Sequence, residues 1–375
     1  MISDNNPSSI YGTQSNGIIY SPFNFKLEPM ERLIIFGIEN DPDEIYTTFE
    51  SQIFDDNIYG KGMRILATRN DGYVDVYYQP GLIFNSNDFN QVGKGLRDLI
   101  ERPMKNARYE ITSEGVDLFY TFEDKIGRQI EIKIKENNKK TPKPFNILAP
   151  LGAGTYKPDA LPLFMLYDID FIRRTGTEIQ ITIAGREHKV DKIPLLVDGS
   201  KIYYIRYSID PFLVKWNVAG LETLYPLELS GKLQIQDKDT TYDLIDNKGH
   251  YEIKQMSIAN EKHSLTVYFK PAVPDIVCIH DGASVKGKIT IASEKTTGTV
   301  SGEYELSRYG SKIKMKVHPN GGWKPNEPKW SMKLLYAAIP MFKNWTKTYI
   351  WTAEIELNEK GQPTMNSEWK RKDYR

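Results

Sequence analysis

Apolar and polar residues alternate along much of this chain, and the period is two. Ile130, Ile132 and Ile134 alternate with Glu131, Lys133 and Lys135, and Ile179, Ile181 and Ile183 with Gln180, Thr182 and Ala184. Ile313, Met315 and Val317 alternate with Lys312, Lys314, Lys316 and His318; Tyr349, Trp351, Ala353, Ile355 and Leu357 alternate with Ile350, Thr352, Glu354 and Glu356. Successive side chains of a strand point to opposite faces, so each run offers one apolar and one mostly polar face, the pattern of antiparallel sheet with one wet side. Turn signals separate the runs at Asn70-Asp-Gly72, Lys125-Ile-Gly127, Asp198-Gly199, Asn247-Lys-Gly249 and Tyr309-Gly310. Short strands at this spacing predict an all-β sandwich or barrel with few short helices. One helix is expected over Asp88 to Ile100, capped by Asp88. Lys329 to Ala338 fits helix or strand equally.

Three pairs of segments resemble each other in the same order. Val74-Asp-Val-Tyr-Tyr-Gln-Pro80 matches Leu265-Thr-Val-Tyr-Phe-Lys-Pro271, and Gly127-Arg-Gln-Ile-Glu-Ile-Lys-Ile134 matches Gly310-Ser-Lys-Ile-Lys-Met-Lys-Val317. Leu161-Pro-Leu-Phe164 matches Ile339-Pro-Met-Phe342. A repeat this long reads as a duplicated β domain, since solenoid periods are much shorter. The expected organisation is an N-terminal arm over 1–24, mobile or loosely docked, β-barrel domains over 25–217 and 218–357, and a polar tail over 358–375. In the first pair, Val74, Val76 and Tyr78 match Leu265, Val267 and Phe269 and should face the core. Asp75, Tyr77 and Gln79 match Thr266, Tyr268 and Lys270 and should meet water or a polar interface.

These paired strands, with Val300-Ser-Gly-Glu-Tyr-Glu-Leu306 before the turn at Gly310, resemble the lipocalin-like double-barrel proteins of the AttH and carotenoid-hydratase type. The likeness covers most of residues 25–357 and consists of strand patterns. It implies two duplicated antiparallel barrels and transfers no functional residue.

Composition narrows the function classes. The 375 residues hold 49 Lys plus Arg and 49 Asp plus Glu. A neutral chain has no global field to gather nucleic acid or an anionic membrane, so no nucleic-acid partner is expected. No run of about 18 apolar residues predicts a membrane span. The N-terminus lacks a basic start followed by an apolar run, so no signal peptide is expected. One cysteine, Cys278, cannot form an intramolecular disulfide, which fits a reducing, cytoplasmic setting.

Candidate chemistry is sparse. Leu151-Gly-Ala-Gly154 does not continue into a phosphate-binding loop. The five histidines are scattered without metal-ligand spacing, so neither metal nor cofactor is expected. His280 and Asp281 with Asp275 and Cys278 could gather round a cation, but the segment reads more simply as a loop. Cys278 sits in the apolar run Ile276-Val-Cys-Ile279, where a thiol packs as a small hydrophobe. Asp168 and Asp170 alternate on one predicted strand; two carboxylates on one side could share a proton and serve acid–base catalysis, or form a solvated strand face with Arg173 and Arg174 nearby to pair them. Tyr204, Arg206 and Ser208 alternate likewise and could hold a carboxylate. Trp323 and Trp330 lie in a Gly- and Pro-rich loop and are candidates for a pocket rim.

The expected function is binding of a small lipophilic, lipid- or isoprenoid-like molecule inside a barrel, because about eight strands leave room for one such ligand. The alternatives are a hydratase, isomerase or cyclase using Asp168 and Asp170, and a carbohydrate-binding or structural β module using Trp323 and Trp330.

Overall fold

The structure is a computed structural model that describes residues 10–86, 93–138, 144–150, 158–197, 199–229, 233–293, 295–326, 344–358 and 361–372, with single positions between 333 and 342. It is all-β: among the described residues helix is confined to the three-residue turns Lys295–Thr297 and Thr346–Thr348 and to isolated positions such as Lys333, Tyr336, Phe342 and Asn344. Two compact units divide the chain. Unit 1 comprises Met1–Leu27, Lys157–Leu163 and Val214–Arg375; unit 2 comprises Glu28–Tyr156 and Phe164–Leu213.

Unit 2 buries its core under a five-stranded antiparallel sheet. In order, its strands are Arg186–Glu187, Thr177–Ile183, Gln129–Glu136, Gly115–Glu123 and Lys105–Thr112. Ile130, Ile132 and Ile134 pair with Ile183, Ile181 and Ile179 on one side and with Phe122, Tyr120 and Leu118 on the other. The period-two pattern thus becomes one continuous apolar face. It packs on Ile34, Phe36, Phe49, Met63, Ile65 and Tyr77 of a larger sheet in the same unit. That sheet continues through Ser200–Ser208, Arg32–Gly37, Tyr46–Asp56, Gly60–Arg69 and Val74–Tyr78.

The helix expected over Asp88 to Ile100 is not formed where the chain is described; residues 87–92 lie outside the described set, and Leu96–Glu101 is a strand. It runs parallel to Val74–Tyr78, and the register skips one residue, so Leu96 faces Val74 and Leu99 faces Val76. A bulge of this kind sets apolar residues three apart on one face, the spacing that reads as helix in sequence. The faces of Val74–Tyr78 also differ from those expected. Val74 and Val76 pack with Leu66, Leu96 and Leu99 in a small cluster, whereas Tyr77 enters the main core. Asp75, expected at water or a polar interface, is fully buried. It is held by the Tyr46 hydroxyl at 3.1 Å, Arg69 at 3.2 Å and Lys125 at 3.0 Å.

A second buried ion pair gives unit 2 a testable pH response. Arg128 donates to both Asp43 oxygens, at 3.1 and 3.0 Å, and to Asp124 at 2.8 Å. Burial pushes the Asp43 pKa up, but the Ile45 amide and the Arg128 guanidinium outweigh it and hold the carboxyl below the usual range. A depressed folded-state pKa stabilises above the unfolded value and loses that contribution as pH falls through the folded one. Asp43→Asn should therefore cost about 1–2 kcal/mol at pH 7 from the lost charge-assisted bonds. The deficit should narrow below about pH 4, as read by urea unfolding across pH; a constant deficit would contradict the pairing.

Unit 1 is built on a ten-stranded antiparallel sheet. Its order is Gly220–Thr223, Thr364–Arg371, Tyr349–Glu356, Lys312–Lys324, Thr299–Tyr309, Ser284–Ala292, Ser264–Val273, His250–Ala259, Thr240–Asn247 and Gln234–Asp237. From Gln234 onward consecutive strands are neighbours, a meander. Ile313, Met315, Val317, Tyr349, Trp351, Ala353 and Ile355 are buried, as their alternation predicts. Leu265, Val267 and Phe269 face inward, and Tyr268 is exposed.

The sheet curls, and two glycines permit it. A Cβ on Gly287 would stand 2.3 Å from Cε1 of Tyr304, whose ring lies across the glycine. Gly302 sits at a register skip between Ser301 and Glu303, where a Cβ would meet the His318 carbonyl at 2.4 Å. Bulges and glycine kinks are how antiparallel sheets bend.

The described parts of both terminal segments are structural. The tail expected as polar contains the strand Thr364–Arg371, with Met365, Ser367 and Trp369 buried between polar neighbours. The arm is anchored: Ile18–Ile19 pairs with Leu227–Glu228, Tyr11 bridges to Ile279, and buried Phe23 stacks on Phe269 at 5.0 Å.

Candidate functional site

The strand Leu161–Arg173 carries the carboxylates nominated for catalysis, but they do not share a face. Asp168 has a positive φ of 50° and is exposed, while Asp170 is buried. The break in alternation turns one carboxylate out and leaves the other inside unit 2. Asp170 accepts from the Phe171 amide at 2.8 Å and from Arg173 at 3.0 Å. Arg173 also stands 3.7 Å from Glu136. This is a buried Glu–Arg–Asp bridge, with Asp170 paired by Arg173 in the interior and not on a solvated face.

Tyr204 and Arg206 do share a face of the strand Ser200–Ser208, with the guanidinium 4.6 Å above the tyrosine ring. The cation is stacked on its neighbour. Ser208 is buried and donates to the Tyr167 carbonyl at 2.6 Å, so it is committed to backbone. Trp323 is buried, donates its indole N–H to Thr297 at 2.8 Å and packs on Tyr336 at 5.1 Å. It belongs to a core rather than a rim. Trp330 and the Leu151–Gly154 loop lie outside the described residues.

A groove of about 930 Å³ lies on unit 1, along strands between Ser284 and Glu368. Alternation explains its lining: with Ile313, Met315 and Val317 in the core, Lys314 and Lys316 must point the other way. Cross-strand register sets the charges in ladders. Lys286 bonds Glu305 at 3.0 Å; Lys316 lies opposite Glu305, Lys314 opposite Glu354, and Thr352 opposite Glu368. Lys312, beside the groove, bonds Glu354 at 2.6 Å and holds its carboxyl below the usual range; Glu354 in turn raises Lys312. Exposed pairs of this kind are individually weak, so the groups can exchange partners with a ligand. Hydroxyl and amide groups of Ser284, Ser307, Thr352, Thr364 and Asn366 lie between the charges. Leu221, 80% exposed, and Tyr309, 62% exposed, add apolar surface. The sequence marks this face only as polar and does not show the groove.

A different cluster is buried in unit 1. His250 opens the strand His250–Ala259, and Asp275 and Cys278 lie in the loop after Ser264–Val273, where the Cys278 amide donates to the Asp275 carbonyl at 3.2 Å. That turn sets both side chains beside the imidazole. One ring nitrogen of His250, a carboxylate oxygen of Asp275 and Sγ of Cys278 all lie within 4.8 Å of one another. Burial, then the Asp275 charge, pushes the Cys278 thiol up to about 12. Burial also raises Asp275, offset in part by Cys278, Ser15 and the Val277 amide. A thiol so protonated is no nucleophile at neutral pH. The sequence grouped Asp275 and Cys278 with His280 and Asp281; the fold supplies His250 instead, while His280 turns its Nδ1 to the Asp281 carbonyl at 2.6 Å.

The fold and these sites define a two-unit, all-β protein with a polar groove and a buried mixed-donor cluster. No family model, curated protein or solved structure matches the chain.

Proposed function

We propose that the protein is a binding protein and that unit 1 takes a polar, neutral ligand of the oligosaccharide type along its groove. The observation that carries this reading is the ladder of Lys, Glu, Thr and Asn side chains presented by one curved sheet face. Near-balanced charge disfavours a polyanion or a polycation as ligand. Closely spaced hydroxyls, amides and ionised groups suit a polyol, which both donates and accepts, and Tyr309 offers a ring face for a sugar to stack on. A lipophilic ligand needs an apolar cavity, whereas the groove floor is charged and the cluster at the heart of unit 2 is closed by Phe36, Phe49, Tyr120 and their neighbours. The reading therefore departs from lipid binding and keeps the carbohydrate alternative, on residues other than Trp323 and Trp330.

A neutral-glycan panel with calorimetry tests it. The wild type should bind at least one oligosaccharide, with little dependence on salt, and Tyr309→Ala with Thr352→Ala should weaken binding about tenfold, equivalent to about 1.4 kcal/mol. Silence across the panel, or affinity untouched by both changes, contradicts the proposal.

A further inference from the structure

We propose that His250, Asp275 and Cys278 form a mononuclear site for a divalent transition metal of the zinc class, covered by the segment around Tyr11. The donor set is the first support. Imidazole, thiolate and carboxylate together suit a borderline-soft ion, and zinc sites draw on these three groups. Donors bound at 2.0–2.3 Å in a tetrahedron stand roughly 3.3–3.8 Å apart. The observed limit of 4.8 Å closes to that by side-chain rotation of about an ångström.

Unsatisfied polar atoms are the second, independent support. His250 is 7% exposed, Asp275 2% and Cys278 4%. Nδ1 of His250 and both carboxylate oxygens of Asp275 are buried without a hydrogen bond of ordinary geometry. A buried His250 nitrogen without a partner, beside a carboxylate with only weak contacts and a thiol, is a costly arrangement, and buried polar atoms are nearly always partnered. A divalent cation partners them at once. Its two charges balance one carboxylate and one thiolate, so the loaded site is neutral where the separate ions would be strongly disfavoured.

The surroundings are arranged as an outer shell. The Tyr11 ring stacks on the His250 imidazole at 3.8 Å and 7°. Its hydroxyl donates to Glu252 at 2.8 Å, and Glu252 also accepts from Asn247 at 2.7 Å. The Gly12 amide donates to the Cys278 carbonyl at 2.9 Å, and Tyr11 bridges to Ile279. These contacts fix the imidazole plane and the loop, the task outer-shell groups perform at metal centres. The histidine comes from one strand of the meander and the Asp–Cys pair from the loop after the next, so the site is absent from the unfolded chain and binding is coupled to folding.

Cobalt substitution tests the proposal on the full chain. Reduced, EDTA-treated and dialysed protein is titrated with Co²⁺, and the near-ultraviolet thiolate-to-cobalt charge-transfer band is followed; metal content after Zn²⁺ loading is read by mass spectrometry. The expected result is one equivalent of metal, a charge-transfer band that saturates at that ratio, and displacement by Zn²⁺. Cys278→Ser should abolish the band, His250→Ala should weaken it or shift its intensity, and His280→Ala should leave it unchanged. The wild type alone can overturn the proposal by binding no metal or showing no band, even if the ligand variants fail to fold. A band that survives in Cys278→Ser overturns it as well.

Discussion

Replacing Arg173 by alanine should destabilise unit 2 by about 3–5 kcal/mol, the cost of leaving buried charge without its partner. Asp170 and Glu136 face each other across this one guanidinium, and all three side chains are at most 5% exposed. Burial already raises the Glu136 pKa, and the Arg173 amide and charge offset only part of it. A carboxyl with a raised folded-state pKa holds its proton more tightly in the native protein. Stability therefore falls as pH climbs from the unfolded value through the folded one. Removing Arg173 raises that folded value further, so the deficit should be larger at pH 7 than at pH 4. Urea unfolding followed by far-ultraviolet circular dichroism reads both. Because both carboxyls then lack a cation, Asp170→Asn placed on the Arg173→Ala background should recover part of the loss. A cost under about 1 kcal/mol, as exposed pairs give, would show that the bridge is solvated and would return Asp170 to consideration for proton transfer.

Trp351→Ala should cost unit 1 about 3–5 kcal/mol, the range for emptying a buried aromatic site. Trp351 is fully buried and lies 5.7 Å from Phe23. Its indole N–H has no hydrogen-bond partner. Trp351→Phe should therefore be much milder, because the volume lost is offset by removing an unsatisfied donor. All six tryptophans belong to unit 1, so fluorescence from the remaining five follows this unit during urea unfolding. Equal losses for the two variants would mean that the indole nitrogen is satisfied and that the interior is less tightly filled than the packing indicates.

Much of the fold is legible in the alternation. Ile130 to Ile134, Ile313 to Val317 and Tyr349 to Ile355 each reach the core on the face their period predicts, and each of the five turn signals joins two strands that pair. The exceptions have physical causes. Leu96 and Leu99 mimic a helical stripe because a one-residue register skip brings both onto Val74 and Val76. The strand Thr364–Arg371 is hidden by Glu368, Lys370 and Arg371, although Met365, Ser367 and Trp369 alternate inward. Asp168 and Asp170 should share a face by spacing alone, and the positive φ of Asp168 itself parts them.

Little of the candidate sites could be read in advance. The groove residues look like any wet sheet face, because alternation alone sends them to the polar side. Asp275 and Cys278 do lie together, although the sequence reads their segment as a plain loop. Their third member is His250, which a hairpin and a loop bring back from an adjacent strand; no local spacing encodes that contact.

The central claim is that function sits on the polar concave face of unit 1 and not inside an apolar barrel. Crystals of the full chain soaked in a mixture of neutral sugars, amides, terpenes and fatty acids test it in one experiment. The account predicts sugar or amide density between Lys286 and Glu368, in contact with Thr352 or Asn366. Terpene or acyl density enclosed among the core side chains of either unit, with the groove empty, would contradict it.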